Sequence, residues 1–166
     1  MDVRIRPLDH EADTAGFSSG EGALDEYLQR YATQDIKRGV ARVFVATPAN
    51  QPTVVAGYYT LSAASIAAET LPESLRKKLP RYPIPVALLG RLAVSLAAQG
   101  QGLGSILLAD ACKRVAAASQ ALAVAALVVD AKSHRAAAFY QHFGFFELPG
   151  QPGRWMLPRK HFVSAP

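Results

Sequence analysis

Three glycines at alternate positions, Gly100, Gly102 and Gly104, are the residues whose spacing points most directly to chemistry. They follow an apolar run at residues 92–94 and precede the helical pattern of residues 104–118. A glycine-rich turn between a strand and a helix leaves backbone N–H groups unpaired at the positive end of the helix dipole. Because glycine lacks a Cβ, an anion can approach the backbone closely. This segment therefore predicts a phosphate-binding loop.

The spacing of the glycines discriminates among phosphate ligands. A dinucleotide fold uses Gly-x-Gly-x-x-Gly, and this chain lacks the longer third gap. A nucleoside triphosphate loop ends in Gly-Lys-Ser/Thr, whereas residues 103–105 are Leu-Gly-Ser. Both nucleotide interpretations are therefore weak. The alternative is an ordinary strand-to-helix turn that binds no ligand, in which the glycines only allow the chain to turn tightly.

Hydrophobic periodicity predicts the elements that must position this loop. Strands are expected at residues 3–7, at 40–45 and 54–61 as an antiparallel hairpin, and at the apolar runs 84–89 and 92–94. Helices are expected at residues 20–33, 71–79, 104–118 and 133–142. Residues 121–129 predict a central strand covered on both faces, with closing strands at 145–146 and 155–157. The order predicts one mixed α/β domain spanning residues 1–166.

The residues of the loop also match the pattern Gln/Arg-x-x-Gly-x-Gly/Ala, through Gln99, Gly102 and Gly104. This resembles the acetyl-CoA pyrophosphate loop of the GNAT N-acetyltransferase superfamily. Further matches follow in the family's order: the strand at residues 92–94, the buried strand ending near Asp130, and Ala-Phe-Tyr-Gln-His-Phe-Gly-Phe at residues 138–145. The resemblance implies an acetyl-CoA-dependent N-acetyltransferase. It also implies a GNAT-like single α/β domain whose central mixed, mostly antiparallel sheet is flanked by helices on both faces.

The resemblance further implies which residues bind acetyl-CoA. Backbone N–H groups of the loop would bind the pyrophosphate, and the preceding strand would pair with the pantetheine arm like an added strand. Lys132-Ser133 stands where the family usually has an asparagine near the start of the last helix. The expected cofactor-binding residues are Leu92, Ala93, Val94, Gln99, Gly100, Gln101, Gly102, Leu103, Gly104, Ser105 and Ser133.

Tyr140 is the candidate catalytic residue. Ala136, Phe139, Tyr140 and Phe143 fall at i, i+3, i+4 and i+7, which places them on one helix face turned toward the core. Acetyl transfer to an amine needs a proton for the departing thiolate, and a buried phenol beside the CoA sulfur can donate it. We therefore expect Tyr140 to be the general acid, as the resemblance also implies. The alternative is a core tyrosine whose hydroxyl bonds to a backbone acceptor.

Motifs outside the loop narrow the resemblance to a subfamily. They are Phe-Ser-Ser-Gly at residues 17–20, Leu-Asp-Glu-Tyr-Leu at 24–28, Arg-Val-Phe-Val at 42–45, Val-Ala-Gly-Tyr-Tyr at 55–59, and Pro-Arg-Tyr-Pro-Ile-Pro at 80–85 before Leu-Gly-Arg-Leu-Ala-Val at 89–94. Together they look like the GNAT toxins of bacterial type II toxin–antitoxin modules. That resemblance implies acetylation of the α-amine of aminoacyl-tRNA, which blocks translation. It also implies a ribbon-helix-helix antitoxin and a homodimer.

The distribution of charge supports an RNA substrate. Residues 1–26 carry seven acidic and two basic side chains, a net of −5, so the rest of this +5 chain has a net of +10. Such a positive field favours an anionic partner, and tRNA docking depends on Lys and Arg near phosphates. The expected substrate-binding residues are Lys37, Arg38, Arg76, Lys77, Arg81 and Arg91, with Arg42, Lys78, Lys132 and Arg135 as further basic candidates. The alternative for each is a solvated surface charge.

An α-amino acceptor relaxes the need for an enzymic base. A free α-amine titrates at about 7.7–8.0 and a lysine near 10.4, so the α-amine is appreciably neutral at physiological pH. Two alternatives stay open. One is a GNAT enzyme that acetylates a small amine or a protein N-terminus. The other is a non-catalytic module that binds acetyl-CoA or nucleic acid.

The remaining reactive residues predict neither a metal nor a membrane location. The four histidines are scattered without metal-ligand spacing, and Cys112 lies within an apolar helical stripe where packing is its expected role. The first residues lack the apolar core of a signal peptide. Two stretches carry no charge, but residues 92–109 are interrupted by glutamines and glycines and residues 115–129 are too short to span a bilayer. We therefore expect a cytoplasmic protein with no metal.

Overall fold

The strands join in a seven-stranded sheet with the order β1-β2-β3-β4-β5-β7-β6. The structure is a computed structural model, and it describes residues 1–163. The strands are β1 (Val3–Pro7), β2 (Arg42–Pro48), β3 (Gly57–Ile66), β4 (Ile84–Val94), β5 (Ala126–Asp130), β6 (Phe146–Glu147) and β7 (Arg154–Pro158). β4 pairs with β5 in parallel, whereas the β1–β2, β2–β3, β5–β7 and β6–β7 pairs are antiparallel. The sheet is therefore mixed and mostly antiparallel, as predicted.

Five α-helices accompany the sheet in the described part of the chain. They are α1 (Gly22–Glu26), α2 (Ala32–Arg38), α3 (Glu73–Arg76), α4 (Leu103–Ala118) and α5 (His134–His142). A π-helical turn, Tyr27–Tyr31, joins α1 to α2, so the helix predicted at residues 20–33 runs on to Arg38. It ends at Gly39, which adopts the left-handed conformation with φ of 72°. Among residues 1–163, no helix is both long and apolar enough to cross a membrane.

The chain divides into two compact units, each made of two segments. The first unit comprises Met1–Ser62 and Gly90–Ala111, and the second comprises Ala63–Leu89 and Cys112–Pro166. Each unit has its own hydrophobic cluster. The first is built around Phe17, Tyr27, Leu28 and Tyr58, and the second around Ile66, Ile84, Val128 and Met156. A single domain spanning residues 1–166 stays a prediction.

The first unit holds the β1–β2–β3 ladder and the turn that leads into α4. Alternation in β2 buries Val43 and Val45, and these residues pack in one cluster with the helical residues Tyr27 and Leu28. Tyr58 of β3 is fully buried in the same cluster, where its hydroxyl donates to the Leu24 carbonyl oxygen at 2.6 Å. Buried polar groups of this kind need a partner, and the bond satisfies both atoms. The hairpin predicted from residues 40–45 and 54–61 is thus present.

In the second unit, β5 lies between β4 and β7. Residues 126–129 have no exposed surface, which accounts for their unbroken apolar character. The predicted strand was too long at its start. Residues 121–123 form an exposed turn after α4, and Leu122 is 67% exposed. The two apolar runs at 84–89 and 92–94 belong to one strand, because β4 continues through Gly90 without a break.

An ion pair closes the β5–β7 ladder of the second unit. Arg154 donates from Nε to Asp130 Oδ1 at 2.8 Å and from Nη2 to Asp130 Oδ2 at 3.0 Å. This two-bond contact lowers the pKa of the Asp130 carboxyl. Since the folded-state pKa is lowered, the pair stabilises the fold above the unfolded-state pKa of about 3.9. That stabilisation is lost as the pH falls through the lowered folded-state pKa.

We expect Asp130→Asn to lower the free energy of unfolding by about 1 kcal/mol at pH 7. This value is modest because both side chains are partly exposed, at 30% and 25%. Urea unfolding at pH 7 and at pH 3 would measure the effect, and the gap between the proteins should shrink at pH 3. Glu73→Gln, which removes an exposed carboxylate 3.6 Å from Lys77 Nζ, is the control and should change stability by less than about 0.5 kcal/mol. An equal gap at both pH values would contradict the expectation.

Candidate active site

The glycine loop lies in the first unit and has the geometry of an anion site. Gly100 and Gly102 have φ of 80° and 82°, a conformation that disfavours side chains. No atom of the described residues lies within 4 Å of where their Cβ atoms would be, apart from the glycine's own neighbours in the chain. Within residues 1–163, the backbone N–H groups of residues 99–105 donate to no protein acceptor. They precede or begin α4, a helix of 16 residues, so they lie at the positive end of its dipole. An open, donor-rich turn of this kind is suited to binding an anion.

Side-chain hydrogen bonds hold the loop in this shape. Gln99 Nε2 donates to the carbonyl oxygens of Ser19, at 2.9 Å, and Val94, at 3.0 Å. Gln101 Nε2 donates to the Ala97 carbonyl oxygen at 3.3 Å. The sequence predicted that the backbone N–H groups of both residues bind the ligand, and their side-chain amides bond to the protein. Only their backbone N–H groups remain for an anion.

The end of β4 presents the second expected cofactor surface. The parallel ladder between β4 and β5 covers Ala87, Leu88 and Leu89 of β4, and residues 90–94 of that strand continue beyond it. Ala93 is buried, whereas Leu92 and Val94 are half-buried. A strand that outruns its neighbour leaves backbone groups able to pair with an extended ligand. This agrees with the role expected for Leu92, Ala93 and Val94.

Tyr140 lies in α5 of the second unit and is 6% exposed. Its ring packs against Phe139 and Phe145, with centroid distances of 5.2 and 5.3 Å. Burial raises the pKa of its hydroxyl above the ordinary value. No protein group among residues 1–163 forms a hydrogen bond with that hydroxyl. A buried phenol without a protein acceptor can give its proton to a ligand, so the geometry disfavours the alternative of a core tyrosine bonded to the backbone.

The other tyrosines of the core behave differently. The hydroxyls of Tyr27, Tyr58 and Tyr59 donate to Asp35, to the Leu24 carbonyl and to Asp110, at 2.9, 2.6 and 2.6 Å.

The predicted helix face around Tyr140 was only partly right. Phe143 is 37% exposed because it follows the last residue of α5, where the chain turns toward Gly144.

Ser133 caps the N-terminus of α5. Its Oγ accepts a hydrogen bond from the backbone N–H of Ala136 at 3.1 Å, and the residue is exposed. This contact satisfies one of the unpaired N–H groups of the first helical turn. The structure therefore assigns the Ser133 side chain to helix capping, and contact with a cofactor stays a prediction.

Arg91 is the most constrained of the expected substrate-binding residues. Its guanidinium lies over the ring of Tyr27, with 3.5 Å from Cζ to the ring centroid. Tyr27 is itself held, because its hydroxyl donates to Asp35. Burial and that hydrogen bond raise the pKa of Tyr27 to about 12. The half-buried guanidinium has no ion-pair partner among residues 1–163, so its charge is available to an anionic ligand.

The remaining basic residues are exposed and are distributed over both units. Lys37 and Arg38 lie in the last turn of α2 in the first unit. Arg76, Lys77 and Arg81 lie in the second unit, where Lys77 is the partner of Glu73. Tyr82 was missed as a candidate, although it is 67% exposed beside Arg81 and between prolines at positions 80 and 83. An exposed aromatic beside a cation is a stacking surface for an unpaired base, and that pairing was readable from the sequence.

Two other features of the site concern metals and thiols. Among the described residues, no three His, Cys, Asp or Glu side chains group so as to hold a metal ion. Cys112 is half-buried in α4, and burial raises the pKa of its thiol, which makes a thiolate nucleophile unfavourable. The residues expected to contribute to acetyl transfer therefore remain Tyr140, as proton donor, and the glycine loop, as anion site.

Comparison with known proteins identifies the family. Residues 39–147 match the model of the acetyltransferase (GNAT) domain. The chain is 39% identical over 155 residues to a tRNA-acetylating toxin of Mycobacterium tuberculosis strain ATCC 25618 / H37Rv, covering 93% of this chain and 91% of that protein.

Solved structures agree with that match. The structure of AtaT complexed with acetyl-methionyl-tRNAfMet superposes with a TM-score of 0.89 at 33% identity, covering 96% of each chain. A tyrosine-to-phenylalanine mutant of the toxin AtaT, bound to the C-terminus of the antitoxin AtaR and acetyl-CoA, superposes with a TM-score of 0.82 at 30% identity, covering 98% of this chain and 96% of that one. These matches confirm the predicted fold and resemblance, and the chain belongs to the GNAT acetyltransferase family.

Proposed function

We propose that this chain is a toxin that transfers the acetyl group of acetyl-CoA to the α-amine of aminoacyl-tRNA and thereby blocks translation. The observation that carries the proposal is the 39% identity, over 93% of the chain, to a tRNA-acetylating toxin. The likeness to AtaT complexed with acetyl-methionyl-tRNAfMet supports the same substrate class. The N–H groups of the loop and the Tyr140 hydroxyl, which bond to no protein acceptor among residues 1–163, supply what the chemistry needs.

The loop would bind acetyl-CoA through backbone groups. N–H groups of residues 99–105 would hold the pyrophosphate, and the end of β4 would pair with the pantetheine arm through Leu92, Ala93 and Val94. Bound in this way, acetyl-CoA supplies an acyl thioester. The chain holds the loop donors in place before the ligand arrives, so little ordering cost falls on binding.

Tyr140 would act as the proton donor. The lone pair of the α-amine forms the new C–N bond, the C–S bond breaks, and the Tyr140 hydroxyl gives its proton to the departing sulfur. The nitrogen loses a proton to water, and a proton from solvent restores the phenol. Because burial raises the pKa of Tyr140, the phenol stays protonated throughout the neutral pH range. The acceptor needs no dedicated base, since an α-amine is partly neutral near pH 7.5.

The same relatives support a proposal about the partners of this chain. AtaT is described bound to the C-terminus of its antitoxin AtaR, and we propose an antitoxin for this chain, of the ribbon-helix-helix class, together with a homodimeric toxin. We also propose a cytoplasmic location, because translation and its charged tRNAs are found there.

The exposed basic residues would neutralise tRNA phosphates. Arg76→Gln and Arg81→Gln should each raise the KM for aminoacyl-tRNA several-fold, and each should lower the slope of log affinity against log salt by about 1. The KM for acetyl-CoA should not change. Arg4→Gln, which removes an exposed cation from the acidic first 26 residues, is the matched control. Equal effects of all three substitutions would assign the tRNA affinity to net charge rather than to these positions.

The deciding experiment is a transfer assay with the purified protein, acetyl-CoA and bulk aminoacylated tRNA. We expect N-acetylated aminoacyl ends, detected by mass spectrometry after nuclease digestion. Transfer to a polyamine or a peptide N-terminus without tRNA product would favour the general GNAT alternative. Absence of any transfer would favour a non-catalytic binding module.

A further inference from the structure

The segment of residues 18–20 lies against the turn that leads to the glycine loop. The Leu96 N–H donates to the Ser18 carbonyl oxygen at 2.8 Å, and Gln99 Nε2 donates to the Ser19 carbonyl oxygen at 2.9 Å. The Leu96 Cδ2 atom lies only 3.2 Å from where a Cβ of Gly20 would be. Two residues of one short segment, some 80 positions away in the chain, therefore set the approach to the loop.

Ser19 is held in turn by the carboxylate of Asp25. Asp25 Oδ1 accepts two hydrogen bonds from Ser19, one from the backbone N–H at 2.9 Å and one from Oγ at 2.7 Å. The Ser19 Oγ also accepts from the Glu21 N–H at 3.2 Å, and Ser19 is buried. Hydrogen bonds to a charged acceptor are stronger than neutral ones, so Asp25 fixes the position of the Ser19 peptide.

Gln99 connects this arrangement to the anion site. Its two amide hydrogens reach the carbonyl oxygens of Ser19 and Val94, so the side chain ties residues 18–20 to the end of β4. Its backbone N–H is the first of the loop N–H groups, residues 99–105, that donate to no acceptor in the described part of the chain. Gln99 and the glycines around it are exposed, so apolar packing contributes little to the order of the loop.

We infer that Asp25 and Ser19 are positioning residues for pyrophosphate binding. Asp25 holds Ser19, the Ser19 carbonyl holds the Gln99 side chain, and Gln99 aligns the N–H groups of the loop. The inference rests on the proposed function, in which this loop binds the pyrophosphate of acetyl-CoA. Donors that are held in place before binding increase the affinity of the site for its ligand, because they lose little conformational freedom when the ligand binds.

The variant that tests this is Asp25→Ala, assayed by isothermal titration with CoA and by steady-state kinetics with acetyl-CoA. We expect the Kd for CoA and the KM for acetyl-CoA to rise about tenfold, with kcat at saturation within about twofold of wild type. Asp25→Asn retains an Oδ1 acceptor for both Ser19 donors and should restore most of the affinity. Glu26→Ala, which removes the neighbouring exposed carboxylate paired with Arg30, should leave the Kd unchanged.

A double-mutant cycle separates positioning from a general loss of structure. Gln99→Met keeps the length of the side chain and removes both donors. If Asp25 acts through Gln99, the double variant should bind CoA no more weakly than the weaker single variant. Should Asp25→Ala fail to fold, Ser19→Ala, which loses one of the two bonds to Asp25, is expected to weaken CoA binding about threefold.

Two results would overturn the inference: an unchanged Kd for CoA in Asp25→Ala, whether or not kcat falls, or additive effects in the cycle. Wild-type protein that binds no CoA would overturn the loop assignment itself. Wild-type protein that binds CoA but acetylates no aminoacyl-tRNA would refute the proposed substrate, while the effect of Asp25 on CoA affinity would still decide the inference.

Discussion

Tyr140→Phe should lower kcat about 100-fold or more while leaving the Kd for CoA and the folded structure unchanged. Proton donation by a positioned side chain contributes roughly 10²–10⁴-fold to rate, and this substitution removes the proton alone. The Tyr140 hydroxyl bonds to no protein group among residues 1–163, so its loss breaks no internal hydrogen bond. Steady-state kinetics, CoA titration and thermal unfolding on one preparation would measure all three quantities.

Tyr59→Phe is the matched control. Tyr59 is also buried, but its hydroxyl donates to Asp110 Oδ2 at 2.6 Å. Removing it leaves a carboxylate short of a donor, so we expect a loss of about 1–2 kcal/mol in stability with little change in kcat. The opposite pattern, a stable but inactive Tyr59→Phe and a destabilised but active Tyr140→Phe, would refute the general-acid assignment.

The pH dependence provides a second check on Tyr140. Because burial raises the pKa of the phenol, deprotonation of Tyr140 should not lower kcat between pH 7 and pH 9. In the same interval kcat/KM should rise as the acceptor α-amine, with a pKa of about 7.7–8.0, becomes neutral. A fall in kcat across this interval that Tyr140→Phe abolishes would contradict the raised pKa.

Gly102→Ala should weaken CoA binding at least tenfold. Gly102 has φ of 82°, and the space beside its Cα holds no protein atom within 4 Å. An alanine must either keep this left-handed conformation, with its Cβ in the path of the anion, or relax and turn its N–H away from the other donors. Either response removes pyrophosphate contacts. Titration with CoA measures the change.

Gly39→Ala isolates the cost of backbone strain. Gly39 has φ of 72° at the C-terminus of α2, and it too has no protein atom within 4 Å of a Cβ position. Both substitutions should therefore lower stability by a similar amount, about 1 kcal/mol. Only Gly102→Ala should weaken CoA binding. If the two variants bind CoA equally well, the loop does not contact the pyrophosphate at Gly102.

Local patterns predicted those parts of the fold that depend on near neighbours. Alternation located β1 and the β2–β3 hairpin, and helical spacing located α4 to within one residue of its start. The errors fell at the ends of elements, where local patterns were misleading. Residues 121–123 are as apolar as the strand that follows, yet the chain there turns after α4 and stays exposed. The helix predicted at 71–79 shrinks to Glu73–Arg76 because prolines bracket it and few turns can form between them.

The chemistry proposed for this protein was suggested by its sequence, because it rests on the types and spacing of nearby residues. Glycines before a helix predict an anion loop, and a tyrosine on the inward face of α5 predicts a buried proton donor. Tertiary structure decided how those groups are held. Asp25 holds Ser19, which bonds to Gln99 across the chain, and the Arg91 guanidinium lies over the ring of Tyr27. Among residues 1–163 the hydroxyl of Tyr140 has no protein acceptor, whereas those of Tyr27, Tyr58 and Tyr59 are bonded. Hydrogen-bond partners depend on which groups the fold brings close together, and the pattern of residues along the sequence does not show this.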